Sequence, residues 1–562
     1  MHSGSDSGLM EQLYTAVTER GYLDEDSVRN IGASLLMPPA WVYGRASQFQ
    51  EFPVQKADLL VRICAGPCCA MRGSMELIES LRGELDGFRG VVRVEEAYGL
   101  PYWHLPIALE IAGRARRKKL FHGFQGENIT ILKKMILGEA THEQPAPVFQ
   151  FRLKDFGVAG GKNFSLTSLQ EETGLRNYMK KGGMTALQQV QAEEKKGRRV
   201  LEQSALKDFH ADILLAQQVE RLAEVPGDRR LIIADAGSRE VENGVSGMAA
   251  DYAPYAVLEG LLCLGALAGA DEAVIYLPWQ DIKTQKVLEA ALFDFAKKGF
   301  MQRTAVRVFK GPAFIPCRRD IGIAAVMEGE MMGEKAAEAR FDPPRVWGRE
   351  ALFVSAETLS KIPVIIGGGA ASYKKVGGTA LLSLTRDLAR PRVLEADLGQ
   401  PVGDIAARYV RSKKMKALHL HGSSGGPLPP ARFGMSLGRK PSPGFGGSGA
   451  QVLVMNGENC MVRWAAYLAH LSAECCCGGC IPGRNAPGTI EKLLRQVTEG
   501  KGNAGTLRQV SSLIELVRDT ALCGQAEMTL NPVSLAMEYF QAEFEAHVEE
   551  RHCPAGKCAL GT

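Results

Sequence analysis

A multidomain α/β fold is predicted by three features of this sequence: its length, the alternation of strand-like and helical runs between residues 59 and 365, and a last segment that is helical almost throughout. With 562 residues, 45% of them hydrophobic, the chain can bury several cores, and about three to five domains are expected.

Residues 8 to 50 carry helical periodicity, and LLVRIC (59–64) is a strand-like run. A Gly/Pro/Cys turn then leads into a helix expected from about Met71 to Leu81, making a small α/β unit. The basic run from Arg114 to Lys119 reads as a solvated helix end, and with the Pro-containing stretch His142 to Val148 it makes a linker. Beyond it the order is LIIADA (231–236), a helix from Pro254 to Leu267, AVIYL (273–277) and a helix from Ile282 to Lys298. This β-α-β-α succession predicts a parallel, doubly wound sheet. Short strands follow from Ala380 to His421, then a Gly/Pro-rich loop from Gly422 to Gly449, then helices from Glu458 to Glu550.

Composition excludes some functions. A formal net charge of +4, from 67 basic and 63 acidic residues, is too small to point to nucleic acid. The most apolar stretch, Tyr255 to Leu277, is interrupted by Glu259, Asp271 and Glu272, so it is expected as a buried helix and strand rather than a membrane span. Met1 leads into Ser, Gly and Asp without an apolar run, which places the chain in the cytoplasm or at the periphery of a membrane-bound complex.

Thirteen cysteines in such a chain are better explained as metal ligands, catalytic thiols or packed side chains than as disulfides. Cys64, Cys68 and Cys69 lie together, Cys475, Cys476, Cys477 and Cys480 form a dense group, and Cys523, Cys553 and Cys558 follow. Cys263, Cys317 and Cys460 stand alone in apolar settings, where a packed thiol is expected. The strongest signal is Cys477-Gly-Gly-Cys480, because soft thiolates at short spacing suit an iron–sulfur cluster and the glycines let the backbone wrap closely.

The segment FGGSGAQVLVMNGENCMVRWAAYLAHLSAECCCGGCIPGR, with LCGQAE around Cys523 and FQAEFEAHVEERHCPAGKC after it, resembles the cluster domain of the NADH-oxidising flavoprotein subunit of respiratory complex I. Related diaphorase subunits of NAD-linked hydrogenases and formate dehydrogenases share it. In that family a C-x-x-C-x-x-C run and one distant cysteine bind a [4Fe-4S] cluster that takes electrons from FMN. Carried over by position, Cys477 and Cys480 match the first two ligands and Cys523 the distant one, while Gly483 occupies the third position. Cys476, or alternatively Cys475, is the candidate for the fourth ligand. The likeness extends upstream through GSSGGPLP (422–429) and WGREALFVSAETLSKIP (347–363), where Val354 and Ser355 replace the family's paired asparagines and Glu357, Thr358 and Leu359 are retained.

The flavin motif departs. Family members hold the FMN phosphate on a Gly-Arg-Gly-Gly-Ala-Gly-Phe turn. Aligned from RNYMKKGGMTALQQV (176–190), the corresponding residues are SALKDFHADIL (204–214), which contain no glycine. Asp208, Phe209 and Asp212 would crowd the phosphate, and the carboxylates would repel it. The family's acidic turn facing flavin and nicotinamide reads ADAGSREVENG here, keeping Asp235 and Glu240, and its Cys-Gly-Glu-Glu-Thr-Ala motif is matched by Cys317, Arg318, Arg319, Asp320, Ile321 and Gly322. No residue is therefore assigned to FMN or NADH, which the family implies.

Upstream, LLMPPAWVYGRASQFQEF and VRICAGPCCAMRG resemble the thioredoxin-like [2Fe-2S] subunit of complex I. Cys64 and Cys69 match its first cysteine pair, but Val94 and Tyr98 stand where the second pair belongs. A [2Fe-2S] cluster is not expected, with only Cys68 and His104 as substitutes. Cys553 and Cys558, with His547 or His552, form a second candidate site with ligands suited to zinc. His419 and His421 alternate on a strand and are expected as surface or packed residues.

The resemblance implies a thioredoxin-like domain over 1–125, a Rossmann-like FMN/NADH-type domain over 126–365, a small β-grasp domain over 366–440 and a helical iron–sulfur domain over 441–562. The expected function is that of an iron–sulfur electron-transfer subunit of a multisubunit NADH dehydrogenase-like complex, without a working flavin site and inactive on its own. Its partners would be other iron–sulfur or dehydrogenase subunits. The alternatives are a functional FMN-containing NADH dehydrogenase subunit and a cofactor-free scaffold.

Overall fold

The computed structural model describes residues 8–85, 91–100, 107–113, 116–121, 132, 134, 156–159, 174–208, 213–237, 247–338, 344–385, 392–410, 414–438 and 450–560. His104, Phe209, Asp212 and Glu240, singled out above, lie outside them.

The first sheet contains β1 (Leu59–Cys64), β2 (Val92–Ala97), β3 (Leu109–Gly113) and β4 (Arg116–Phe121) in the order β2-β1-β3-β4. β1 runs parallel to β2 and antiparallel to β3. LLVRIC thus forms the strand expected, and Val61 and Ile63 face Leu77, Ile78 and Leu81 of the helix Ser74–Leu85 in one core. That helix begins later than expected because the short helix Pro67–Ala70 and a turn ending at Gly73 (φ 93°) intervene. The basic run at 114–119 is not a helix end. Its residues from Arg116 form β4, paired with β3.

β5 (Phe156–Ala159) contributes to the third sheet, described below. The second sheet is built from β6 (Arg230–Asp235), β7 (Glu272–Pro278), β8 (Ala305–Gly311), β9 (Arg345–Val346) and β10 (Arg349–Ser355), ordered β8-β7-β6-β10-β9. All its pairings are parallel except β9 with β10. Both faces are buried, and the pleat sorts the side chains between two cores. Ile232, Ala234, Ala273 and Ile275 pack beneath the helix Pro254–Ala268, whereas Leu231, Ile233, Val274 and Tyr276 meet the N-terminal helices and the helix Arg319–Glu328. The helices Gly8–Arg20, Glu25–Leu35 and Pro39–Ala46 therefore cover the second sheet rather than the first. Glu259, buried in Pro254–Ala268, accepts hydrogen bonds from the Tyr178 hydroxyl (2.5 Å) and from the amides of Met184 (2.8 Å), Ala186 (3.0 Å) and Leu187 (3.2 Å). The charge that interrupts the apolar run is thus a cap for another helix's open N-terminus.

The third sheet comprises β11 (Thr379–Thr385), β12 (Arg392–Asp397), β13 (Ala417–Leu420), β14 (Gly426–Leu428) and β15 (Ala450–Met455) together with β5, in the order β14-β13-β15-β11-β12-β5. Its strands come from both sides of the second sheet in the chain, so the two layers interleave. Against it lie the helices Met461–Glu474, Ile481–Thr498, Ala504–Thr520, Gln525–Tyr539 and Gln541–Val548. Among the described residues no helix is long and apolar enough to cross a membrane.

Two contacts seat this helical layer. Gly479 and Gly333 meet backbone to backbone, so that a Cβ added at Gly333 would lie 2.8 Å from the Gly479 Cα. His470 bridges Glu96 of β2 (2.6 Å) and Glu491 of Ile481–Thr498 (3.3 Å). Burial alone would lower the imidazolium pKa, but the two carboxylates raise it to about 10.

Gly479→Ala is expected to cost about 1–3 kcal/mol, since no flexible side chain can yield; denaturant titration checks this. A histidine raised above its unfolded value of 6.5 stabilises fully below that pH and loses its contribution as pH rises through about 10. The wild-type denaturation midpoint should therefore fall between those limits more steeply than that of His470→Gln.

Candidate metal centres

The connection between Met461–Glu474 and Ile481–Thr498 carries Cys475, Cys476, Cys477 and Cys480, and the side chains of the first three diverge. Cys475 packs into the core of the first sheet, Cys476 into that of the helical layer, and Cys477 against that of the second sheet. Gly478 turns the chain at φ 70°, a conformation available at little cost only to glycine, and Cys480 is the N-cap of the next helix.

Cys477 meets Cys523, which lies between Ala504–Thr520 and Gln525–Tyr539, and also Cys317. The Cys317 thiol is within hydrogen-bonding reach of both sulfurs, and this lowers Cys477 to about 7 and Cys523 to about 6 while Cys317 itself is pushed well up. The thiol of Cys476 interacts instead with Thr529, and burial pushes its pKa upward; Cys477, Cys480 and Cys523 lie within its electrostatic reach. At the position left by the third family ligand, a Cβ on Gly483 would sit 3.1 Å from the Cys480 Sγ. Soft sulfur donors collected at the junction of two connections suit an iron–sulfur cluster.

A second group unites Cys460, His547, Cys553 and Cys558, whose ligand atoms all lie within 4.8 Å of one another. Cys460 Sγ is 3.4 Å from His547 Nε2 and 3.6 Å from Cys558 Sγ. Zinc bonds of about 2.3 Å to sulfur and 2.1 Å to nitrogen give tetrahedral edges of about 3.6–3.8 Å, so these separations fit. His547 Nδ1 donates to the Glu543 carbonyl (2.6 Å), which leaves Nε2 to face the sulfurs. The hydrogen bond to Cys558 pulls Cys460 down to about 4, and its thiolate raises His547 to about 9 against the effect of burial. Cys460 is therefore not a solitary packed thiol, and neither is Cys317. Both partnerships span long stretches of chain, and only Cys460's place just before a helix hinted at a ligand.

At the positions matching the flavin and nicotinamide site, the described side chains hold one another. Arg319 makes a buried bidentate pair with Asp235, Nε to Oδ2 at 2.8 Å and Nη2 to Oδ1 at 3.0 Å, and lies over the Tyr276 ring. Its Nη2 would be 2.7 Å from a Cβ on Gly237. Asp208 accepts from the Ser355 hydroxyl (2.7 Å) and amide (3.1 Å). Asp208 and Asp235 are thus engaged within the fold, in contacts that leave neither carboxylate turned toward an open site.

In the first sheet Cys64 and Cys69 are buried and share a hydrogen bond that lowers the pKa of Cys64. Cys68 instead meets the Thr385 hydroxyl at 3.1 Å. Where the second family pair would lie, Val94 is buried and the Tyr98 ring lies tilted against Phe314, their centroids 5.1 Å apart. His419 is buried, accepting from the Trp464 indole at 3.1 Å and reaching the Gly422 carbonyl at 2.7 Å. His421 does not share the strand, because it turns to φ 54° beyond β13, but it too is packed.

Comparison with known proteins follows the same lines. Residues 463–547 match the NADH-ubiquinone oxidoreductase-F iron-sulfur binding region, and residues 1–100 the thioredoxin-like [2Fe-2S] ferredoxin family. The chain is 27% identical over 326 residues to the NADP-reducing hydrogenase subunit HndC of Solidesulfovibrio fructosivorans, covering 54% of this chain and 66% of that one. It is 24% identical over 325 residues to an F-type NADH-quinone oxidoreductase chain of Rhizobium meliloti, covering 54% and 76%. In fold it resembles a chain of an NAD+-reducing [NiFe]-hydrogenase in the H2-reduced state, with a TM-score of 0.80 at 19% identity over 97% of this chain and 94% of that chain. The chain is thus similar to F-type subunits of NADH-quinone oxidoreductase and to a subunit of an NADP-reducing hydrogenase, with a thioredoxin-like [2Fe-2S] ferredoxin-type segment over its first hundred residues.

Proposed function

We propose that this protein is an iron–sulfur electron-transfer subunit of a multisubunit NADH dehydrogenase-like complex in which the ancestral flavin site has been closed. The observation that carries the reading is the contrast between two places. Thiols from separate connections gather around Cys477 and Cys523, whereas Arg319 spans the flavin-facing carboxylate and the space above Gly237. Cys477, Cys480 and Cys523 would hold a [4Fe-4S] cluster, which supplies one-electron transfer when bound. The chain's own part is to exclude water from the sulfurs and fix their spacing.

The domain assignment belongs to the same reading: thioredoxin-like, Rossmann-like, β-grasp and helical units, with the N-terminal helices serving the second. Cys64 and Cys69 lack the second pair that a [2Fe-2S] cluster requires and act as buried structure. Cys460, His547, Cys553 and Cys558 would hold zinc structurally, since four protein ligands leave no open position for chemistry. Partner subunits would donate and accept the electrons.

Anaerobic purification with flavin, iron and zinc quantified together tests the proposal. Iron with a brown chromophore and no flavin is expected; a yellow protein whose colour bleaches with NADH would overturn it. Cys553→Ala and Cys558→Ala should lose zinc yet keep iron, and chelation of wild-type protein should lower its melting temperature. Arg319→Ala should cost about 3–5 kcal/mol by leaving Asp235 buried without its cation and should not restore FMN binding in fluorescence titration.

A further inference from the structure

Resting on the cluster reading above, we propose that Cys317 is the fourth thiolate of that cluster, replacing the ligand lost at Gly483 with one from a different part of the chain.

The neighbouring cysteines face elsewhere. Cys475 packs among Ile78, Leu81 and Leu471, and Cys476 turns to the core of the helical layer and the Thr529 hydroxyl. Using either requires withdrawing its side chain from a core other than the one Cys477 and Cys523 pack against, which leaves a void behind. Cys317 already shares that core. It lies between β8 and the helix Arg319–Glu328, 4% exposed, and belongs to the same core against which Cys477 and Cys523 pack.

Its loop is anchored from two sides. Glu51 accepts from the amides of Ala313 (3.0 Å) and Phe314 (3.4 Å), and Arg319 fixes the other end on Asp235. Gly322 lets the following helix close on this loop, since a Cβ added there would lie 2.1 Å from the Ile315 Cγ2 and 3.4 Å from the Cys317 Cβ. A cation is also at hand, because Arg318 lies within electrostatic reach of Cys317 and Cys523 and is held by Asp320 at 2.8 and 2.9 Å. Such a charge offsets the anionic thiolates of a loaded site. Restoring the ancestral geometry, by contrast, would bring a side chain at 483 within 3.1 Å of Cys480 Sγ.

Each ligand thiol releases its proton to solvent as its sulfur bonds iron, and two ferrous, two ferric and four sulfide ions supply the [4Fe-4S]2+ core, so that no further oxidant is needed. Loading spreads the sulfurs around the cluster, and Gly478 and Gly524, at φ 70° and 74°, give the two connections room to adjust.

The test is anaerobic reconstitution of the full chain with equal ferrous and ferric iron and with sulfide, read by iron and sulfide content and by electron paramagnetic resonance after dithionite reduction and after ferricyanide oxidation. Wild type and Cys476→Ala should each hold about four iron per chain and give the same reduced [4Fe-4S] signal. Cys317→Ala should retain about three and give an oxidised [3Fe-4S] signal, and Cys317→Ser should keep iron with a shifted signal. Circular dichroism checks folding; if Cys317→Ala does not fold, Cys317→Ser and Cys476→Ala decide the matter. Full iron and an unchanged signal in the Cys317 variants, or a three-iron signal in Cys476→Ala, overturns the assignment to Cys317 while the cluster stands. Wild-type protein that takes up no iron overturns both.

Discussion

The buried ion pair between Arg319 and Asp235 fixes how the second sheet meets the helix that follows Cys317. Two hydrogen bonds of 2.8 and 3.0 Å join the end of β6 to the start of the helix Arg319–Glu328 with both groups buried. Desolvating two charges is costly, and only such complementary geometry with further partners offsets it. Tyr276 beneath the guanidinium supplies one of those partners. In the proposed reading the pair consumes a carboxylate that would otherwise face a cofactor, and it pins one end of the loop that carries Cys317.

One tripeptide therefore has two roles. Cys317, Arg318 and Arg319 stand where the family resemblance places a cysteine, a glycine and a glutamate. Arg319 occupies the space at Gly237, while Cys317 lies in the core against which Cys477 and Cys523 pack. In the proposed reading, closing the flavin site and completing a cluster are coupled through the position of a single turn.

The sequence made local order legible because local order follows pleat and helical period. β1 matches LLVRIC, and the helix Pro254–Ala268 and β7 fall where the apolar run around Glu259 places them. Arg114 to Lys119 misled because isolated basic residues look alike on a helix end and on an edge strand. The N-terminal helices showed their amphipathic faces but not which sheet would cover them. Cys477 and Cys480 declared themselves by spacing, as did Cys553 and Cys558. Cys317 and Cys460 did not, because their partners are brought near only by the docking of separate layers, and an isolated cysteine among apolar residues carries no sign of such company.

The grouping of Cys460 with Cys558 bears on more than ion binding. Those residues flank the whole helical layer, from the N-cap of its first helix to the segment beyond its last. An ion joining them would close a ring of about one hundred residues, and a cross-link of that size withdraws chain entropy from the unfolded ensemble worth about 4–5 kcal/mol. The helices that present Cys477, Cys480 and Cys523 would then be tethered at both ends. The second metal would secure the first without touching it, acting through the disorder it denies the unfolded chain.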